Sequence, residues 1–202
     1  MIDKYRLTRV DLDYEGDDLN RNLAVRVGAL RMLQEHARAA GRELRLTLTV
    51  PVTTLGLDAA TRAQLRAVVA GGVRLELVNL MAFDFGPTGE WTLVDTVRHL
   101  ADLAKNQIKI IFGYDDANAY GRIGLQLMNG RTDEPTVRFR QSDFAALLAY
   151  ARSKHLGWFS YWSLNRDRPC DATVTPTGVH SFCSDVPQAP YDFSRIVAQY
   201  VG

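Results

Sequence analysis

Hydrophobic residues recur along the chain with two different spacings. In some short segments they occupy every second position, and in the segments between these they recur every three or four residues. The period-two segments predict strands at residues 7–14, 44–50, 73–83, 122–128 and 157–164. The longer period predicts helices at residues 19–41, 58–70, 91–112, 142–155 and 192–201. Strands separated by helices are joined by right-handed crossovers, so the pattern predicts an α/β fold with a parallel sheet of about five βα units.

Helix-boundary residues support part of this assignment. Asp58 is placed to cap the helix at 58–70, and Gly71 follows its last residue. The apolar stretch 108–112 is ambiguous, because by itself it could also form a strand. We place it in the helix at 91–112, whose apolar positions continue through it.

The first predicted strand carries three carboxylates at alternate positions, Asp11, Asp13 and Glu15. On a strand these side chains share one face, each about 6.7 Å from the next, while the intervening apolar residues face the other way. Like charges this close repel, so at least one carboxyl is expected to keep its proton near neutral pH. The simpler alternative is a solvated edge strand whose charges deter aggregation.

Ligand sites of parallel α/β sheets lie at the C-terminal strand ends, and Glu15, Asp84 and Trp162 all fall there. Each has a structural alternative: Asp84 could cap a turn, and Trp162 could be a core residue. Arg166 and Arg168 follow the last strand. We expect them to form surface ion pairs with nearby acids, with substrate contact as the alternative.

The composition and charge of the chain argue against several classes of function. The 202 residues fit a single domain over 1–202, and 47% hydrophobic with 23% charged residues is ordinary for a globular protein. A net charge of +1 gives no electrostatic case for nucleic acid or an anionic membrane. No apolar run approaches the roughly 20 residues of a membrane span, and the N-terminus lacks the apolar stretch of a signal peptide. Scattered histidines and unpaired cysteine spacing predict no metal site, and we expect no cofactor.

The two cysteines, Cys170 and Cys183, lie close together near the C-terminus. A local disulfide would indicate an exported protein, whereas two free thiols would suit a cytoplasmic one. We favour the disulfide.

Several motifs resemble those of glycoside hydrolase family 18, the chitinases and their relatives. The Asp11-x-Asp13-x-Glu15 stretch resembles the acidic signature on the fourth barrel strand of that family. Residues 78–86 are similar to the sixth-strand motif of bacterial members, in which Met81 and Asp84 would line the sugar site together with Phe83.

Two later segments continue the resemblance in family order. Residues 127–133, which include Asn129, resemble the end of the seventh strand. Residues 159–168 resemble the end of the eighth strand, where Trp162 would form the floor of the subsite beside the cleaved bond. The resemblance therefore implies a partial TIM-type (β/α) barrel consisting of strands four to eight.

The resemblance also implies a chemistry: hydrolysis of β-1,4-linked N-acetylglucosamine polymers with retention, assisted by the substrate's own acetamido group. Glu15 would protonate the glycosidic oxygen and then activate water. Asp13 would hydrogen-bond the acetamido N–H, and Asp11 would share a proton with Asp13. The family resemblance and the expected disulfide together imply an extracellular protein.

The chain departs from the family pattern at three points. Thr8 replaces an aspartate that usually begins the acidic signature, and Phe83 lacks the hydroxyl of the tyrosine found in many members. The first three βα units have no counterpart, which leaves two unpaired sheet edges. Three explanations are possible: a truncated gene, a barrel completed by a partner or second copy, or an open sheet that is stable alone. We favour truncation. The alternative function is accordingly an inactive chitinase-like protein that binds carbohydrate, with self-association through the open edges.

Overall fold

The computed structural model describes residues 1–86, 88–174 and 178–201. Its helices are α1 (Ile2–Tyr5), α2 (Leu23–Ala39), α3 (Ala59–Ala70), α4 (Leu93–Phe112), α5 (Asp116–Gly121), α6 (Gln141–Lys154) and α7 (Asp192–Val197). Its strands are β1 (Arg9–Asp13), β2 (Arg45–Pro51), β3 (Leu75–Met81), β4 (Ile123–Met128), β5 (Gly130–Arg131), β6 (Arg138–Phe139) and β7 (Trp158–Trp162). Short 3-10 turns occupy Gly16–Leu19 and Leu164–Arg166.

Five strands form one parallel sheet in the order β1-β2-β3-β4-β7, so neighbours in the sheet follow chain order. In a flat sheet the outer strands would lie about 19 Å apart, at about 4.8 Å per spacing. Yet the Arg9 guanidinium on β1 lies 5.6 Å from the centre of the Trp158 ring on β7. The sheet is therefore strongly curved, which is the partial TIM barrel that the sequence predicts.

The two faces of the sheet differ in chemistry. The convex face is apolar and packs on the helices, and its buried residues include Leu46, Leu48, Val50, Val78, Leu80, Leu125 and Leu127. The concave face carries a polar row: in register across it lie Asp13, Thr49 and Asn79. Beside Asn79 the chain has Gly124, where an added Cβ would lie 2.4 Å from Asn79 Oδ1. This polar face carries the acidic cluster.

Most predicted element boundaries are confirmed. Asp58 caps α3 by accepting a hydrogen bond from the Thr61 N–H at 2.7 Å. Residues 108–112 continue α4, and the alternative of a strand there is wrong. The helix predicted from residue 19 begins only at Leu23, because a 3-10 turn comes first, and α7 ends at Val197. Helix α5 and the β5–β6 hairpin were not predicted.

Two further predictions concern the chain as a whole. Cys170 and Cys183 form a disulfide, as predicted, so the alternative of free thiols is wrong. Within the described ranges, no helix combines the length and the apolar character that a membrane span needs.

Candidate active site

Four strands end at the same edge of the sheet and bring the predicted site residues to it. Asp13 is the last residue of β1, Met81 of β3 and Trp162 of β7, and Asn129 directly follows β4. Because the strands are parallel, their C-terminal ends share this edge, the usual ligand-binding edge of such sheets. The topology thus gathers these residues at one mouth of the curved sheet.

The acidic cluster occupies the outer strand of that mouth. Strand β1 ends at Asp13, and Glu15 continues in extended conformation (φ −129°, ψ 160°) before the turn at Gly16–Leu19. Asp11, Asp13 and Glu15 are all exposed to solvent along this open edge. The charges of both neighbours act on Asp13, which places the three carboxylates within electrostatic reach of one another.

Partial desolvation by the surrounding protein raises the pKa of two of these carboxyls, Asp11 and Asp13. Desolvation, with the charges on Glu15 and Asp11, raises the pKa of Asp13 to about 6. Desolvation also raises the pKa of Asp11, opposed by hydrogen bonds from Thr49 and from the Leu12 backbone. Desolvation is the larger cause in both residues, and the repulsion expected from the spacing adds to it at Asp13. Protonation within the cluster therefore changes close to neutral pH.

A short hydrogen-bond chain on the concave face orients Asp11. The Thr49 hydroxyl donates to Asp11 Oδ2 at 2.7 Å, and Asn79 Nδ2 donates to Thr49 Oγ1 at 3.1 Å. Thr49 and Asn79 are both fully buried. These two residues were not among the predicted site residues, although polar side chains inside otherwise apolar buried strands were a usable signal.

A second support holds the backbone between the acids. Tyr14 lies between Asp13 and Glu15, and the Arg26 guanidinium of α2 lies 4.0 Å from the centre of its ring. The same guanidinium donates to the Leu19 carbonyl at 2.7 Å, which ties α2 to the turn after Glu15. Arg26 therefore restrains the segment that carries Glu15 from both sides.

The opposite edge of the mouth carries Trp162, whose side chain is exposed, with a relative accessibility of 39% for the residue. The peptide bond between Trp162 and Ser163 is cis. Asn129 holds it on both sides: its N–H donates to the Trp162 carbonyl at 3.1 Å, and its Oδ1 accepts from the Ser163 N–H at 2.9 Å. Asn129 itself is fully buried, so it supports the Trp162–Ser163 peptide from inside the protein.

Three predicted site residues lie at the C-terminal end of β3, and they differ in their exposure to solvent. Met81 is buried, and Phe83 is half-buried and packs against the hydrophobic core. Asp84 is exposed, adopts the left-handed region (φ 51°) and accepts a hydrogen bond from the Glu134 N–H at 3.0 Å. Asp84 therefore ties the β3 end to the loop between β5 and β6.

Arg166 departs from its predicted surface position. It is fully buried, whereas the neighbouring Arg168 is exposed. In the described part of the chain, Arg166 forms no ion pair within 4.0 Å. The expectation of a surface ion pair was wrong, because the segment after β7 folds over this side chain.

Other candidate site types find no support in the described ranges. No group of three or more His, Cys, Asp or Glu side chains there is arranged to hold a metal ion. A cavity of about 610 Å³ lies at the other end of the sheet, where Arg45 begins β2 and Arg74 and Arg122 precede β3 and β4. It is remote from the carboxylates and takes no part in their site.

Comparison with known proteins gives relatives of one kind, although no protein-family model matches the sequence. The chain is 27% identical to an Escherichia coli (strain K12) protein named "Probable bifunctional chitinase/lysozyme", over 99% of this chain and 23% of that protein. It is 25% identical to "Endochitinase 11" of Metarhizium anisopliae, over 86% of this chain and 35% of that protein. The chain thus spans only about a quarter to a third of these relatives' length.

Solved structures give the same result for the fold. Catalytic-site mutants of active domain 2 of a thermostable Pyrococcus furiosus chitinase, complexed with chito-oligosaccharides, match with a TM-score of 0.83 at 25% identity. The catalytic domain of the hyperthermophilic chitinase from the same organism matches with a TM-score of 0.82 at 25% identity. Each match covers 98% of this chain and 62% of the other. The chain has a chitinase-like fold, which confirms the resemblance predicted from the motifs.

Proposed function

We propose that residues 1–202 act as one domain of a glycoside hydrolase that cleaves β-1,4-linked N-acetylglucosamine polymers, such as chitin and chito-oligosaccharides. One observation carries this proposal: a carboxylate cluster, in which the pKa of Asp13 is raised, and an exposed indole lie at the same C-terminal edge of a parallel sheet. Carboxylates supply proton transfer, and an exposed indole supplies an apolar surface for a sugar ring. The chitinase relatives add support to the assignment.

The proposed mechanism is substrate-assisted and retaining. Glu15 donates its proton to the glycosidic oxygen while the acetamido oxygen of the sugar attacks the anomeric carbon, so the enzyme forms no covalent bond. Glu15, now ionised, then removes a proton from the water that opens the oxazolinium ring. Trp162 holds the sugar ring, and Met81, Phe83 and Asp84 line the site on its β3 side.

Asp13 and Asp11 would act together on the acetamido group. Asp13 accepts a hydrogen bond from the acetamido N–H and stabilises the positive charge that develops on the oxazolinium ring. The raised pKa of both carboxyls supports a role in which the two hold one proton between them and titrate together. The hydrogen bond from Thr49 keeps Asp11 oriented toward this role.

Substitution of Glu15 tests the proposal. We expect Glu15→Gln to reduce the release of product from a fluorogenic N-acetylglucosamine oligomer by about 100-fold or more, because the proton donor is lost, and to leave oligomer binding intact. Asp17→Asn is the matched control, because it removes an exposed carboxylate two residues further along. Unchanged turnover in Glu15→Gln would contradict the catalytic assignment.

Carbohydrate binding without hydrolysis is the second candidate function. It is favoured by the exposure of Asp11, Asp13 and Glu15 along an edge strand, because a proton donor works best away from bulk water. It predicts that the parent chain binds chito-oligosaccharides but releases no product at any pH between 4 and 8.

Further proposals concern where the chain acts and what it contacts. The disulfide between Cys170 and Cys183 supports an extracellular location. The exposed backbone of edge strands β1 and β7 supports self-association, which a concentration series in analytical ultracentrifugation would test. A constant sedimentation coefficient over that series would contradict it. We propose neither nucleic acid nor membrane as a partner.

A further inference from the structure

Arg166 is an unusual residue for the place it occupies. It is the largest of the fully buried side chains in the described part of the protein. Burial lowers its pKa to about 10, opposed by the more distant charges of Asp133, Asp84 and Asp185. Arginine is rarely buried without a carboxylate in contact, because removing the charge from water is costly. Its retention here calls for a role besides stability.

The hydrogen bonds of Arg166 satisfy only part of its guanidinium. Nη2 donates to the carbonyls of Asn129 at 2.9 Å and Arg131 at 2.5 Å. Nε and Nη1 are buried, and neither has a hydrogen-bond partner among the residues that the structure describes. A buried apolar side chain of similar size would avoid these unsatisfied donors, so the fold alone does not account for a guanidinium at this position.

The guanidinium also contacts Trp162. Arg166 Cζ lies 5.0 Å from the centre of the Trp162 ring, within the range of a cation–π interaction. Arg166 is fully buried whereas Trp162 is exposed, so the guanidinium covers one side of the indole and the exposed part lies elsewhere. Cation–π attraction strengthens when the cation is desolvated, as it is here.

The same side chain also connects to the backbone that carries Trp162. Arg166 holds the Asn129 carbonyl, and Asn129 in turn holds the Trp162 carbonyl and the Ser163 N–H. Arg166 thus contacts the Trp162 ring directly and the Trp162–Ser163 peptide through Asn129.

We propose that Arg166 is a positioning residue that fixes the indole of Trp162 from beneath, in the orientation in which its open side carries the N-acetylated sugar ring. This inference rests on the proposed function and adds a specificity determinant to it. Affinity for the sugar would then depend on a residue that the sugar never touches.

Tryptophan fluorescence tests the positioning directly. The chain has three tryptophans, so Trp91→Phe with Trp158→Phe leaves Trp162 as the sole reporter. In that background we expect Arg166→Met to raise the acrylamide quenching constant of Trp162 at least two-fold, because the indole loses the group that covers it. Arg168→Met, which removes an exposed arginine two residues away, should leave quenching unchanged. Unchanged quenching in Arg166→Met would overturn the inference.

Sugar affinity tests the consequence. In the Glu15→Gln protein, we expect Arg166→Met to weaken the binding of an N-acetylglucosamine tetramer about ten-fold by calorimetry, whereas Arg168→Met binds as its parent does. Arg166→Lys keeps the charge but not the planar group, so we expect only partial recovery of affinity. Full affinity in Arg166→Lys would overturn the inference, and this variant decides the matter if Arg166→Met does not fold.

One more variant separates this inference from the function on which it rests. Trp162→Ala should weaken tetramer binding more than either Arg166 variant does. If Trp162→Ala binds the tetramer as its parent does, the proposed sugar site is wrong. If Trp162→Ala loses affinity but Arg166→Met does not, the sugar site stands and the role of Arg166 is overturned.

Discussion

The two outer strands of the sheet, β1 and β7, both end in candidate site residues, but their surroundings differ. On β1 the carboxylates are exposed, and their support includes the Thr49 hydroxyl, the Leu12 backbone and the arginine stacked on Tyr14. On β7 the exposed indole lies over buried Arg166 and Asn129, and the segment that follows is held by buried Asp167. The proposed sugar-binding surface at Trp162 is therefore supported by buried groups of this chain, whereas the edge at β1 that carries the acids has one side open.

This difference indicates whether the chain performs sugar binding or proton transfer more readily. A rigid platform binds without reorganisation, whereas proton transfer requires carboxylates held in a partly desolvated position. Binding should accordingly be less sensitive than catalysis to changes around the open edge. The following substitutions test that contrast from its largest expected effect to its smallest.

Substitution of Asp167 should have the largest effect on stability, on the β7 side. Its carboxylate accepts hydrogen bonds from Gln188 Nε2 at 2.8 Å, from the N–H groups of Phe193 and Ser194 at 3.2 and 2.7 Å, and from the Ser194 hydroxyl at 2.6 Å. Asp167→Ala leaves these donors unsatisfied, at about 1–3 kcal/mol for a buried group. We expect the free energy of unfolding to fall by about 3 kcal/mol in urea titrations.

An exposed carboxylate near the end of β1 provides the control. Asp17→Asn removes an exposed carboxylate, so we expect the free energy of unfolding to change by less than about 0.5 kcal/mol. Equal losses in the two variants would remove the contrast between the edges.

Asp13 should make the stability of the β1 edge depend on pH. Its pKa is about 6 in the folded protein and about 3.9 in an unfolded chain. The folded protein therefore binds this proton more tightly, and the free energy of unfolding falls as the pH rises from about 4 to about 6. Asp13→Asn removes this loss, so the variant should be more stable than its parent above pH 6.

The expected gain is about 1 kcal/mol, below the ~2.9 kcal/mol of the full shift, because the side chain is exposed and solvent screens its charge. Urea titrations at pH 4, 5 and 7 measure it, with Asp17→Asn as the control. The same pH dependence in Asp13→Asn and its parent would show that Asp13 is not the group responsible.

Arg26 should have a smaller effect that falls mainly on catalysis. Arg26→Met removes the cation over Tyr14 and the hydrogen bond to Leu19, at about 1 kcal/mol of stability. Because Tyr14 lies between Asp13 and Glu15, we expect kcat to fall several-fold while tetramer affinity stays within two-fold. A loss of affinity without a loss of kcat would contradict the proposed separation of the two edges.

Much of the fold could be predicted because its signals are local. The period-two and period-three patterns located the strands and main helices, and Asp58 marked the start of α3 through its own hydrogen bond. The β5–β6 hairpin has only two residues per strand, too few to show a period.

The acids and the tryptophan of the site could be predicted from the sequence, but the support beneath the tryptophan could not. The spacing of Asp11, Asp13 and Glu15 is visible in the sequence, because strand alternation alone puts them on one face. The burial of Arg166 is not visible, because it depends on the long segment after β7 folding back over the strand end. Arginine is usually exposed, and only the contacts in the folded chain reverse that expectation.

The central claim is that both edges act on one sugar chain, and a nuclear magnetic resonance titration tests it most directly. An N-acetylglucosamine tetramer would be added to the Glu15→Gln protein while the Trp162 indole N–H and the Asp13 side-chain carboxyl are observed. We predict that both resonances shift in parallel with the same Kd. A shift at Trp162 with none at Asp13, or no shift at either, would contradict the claim.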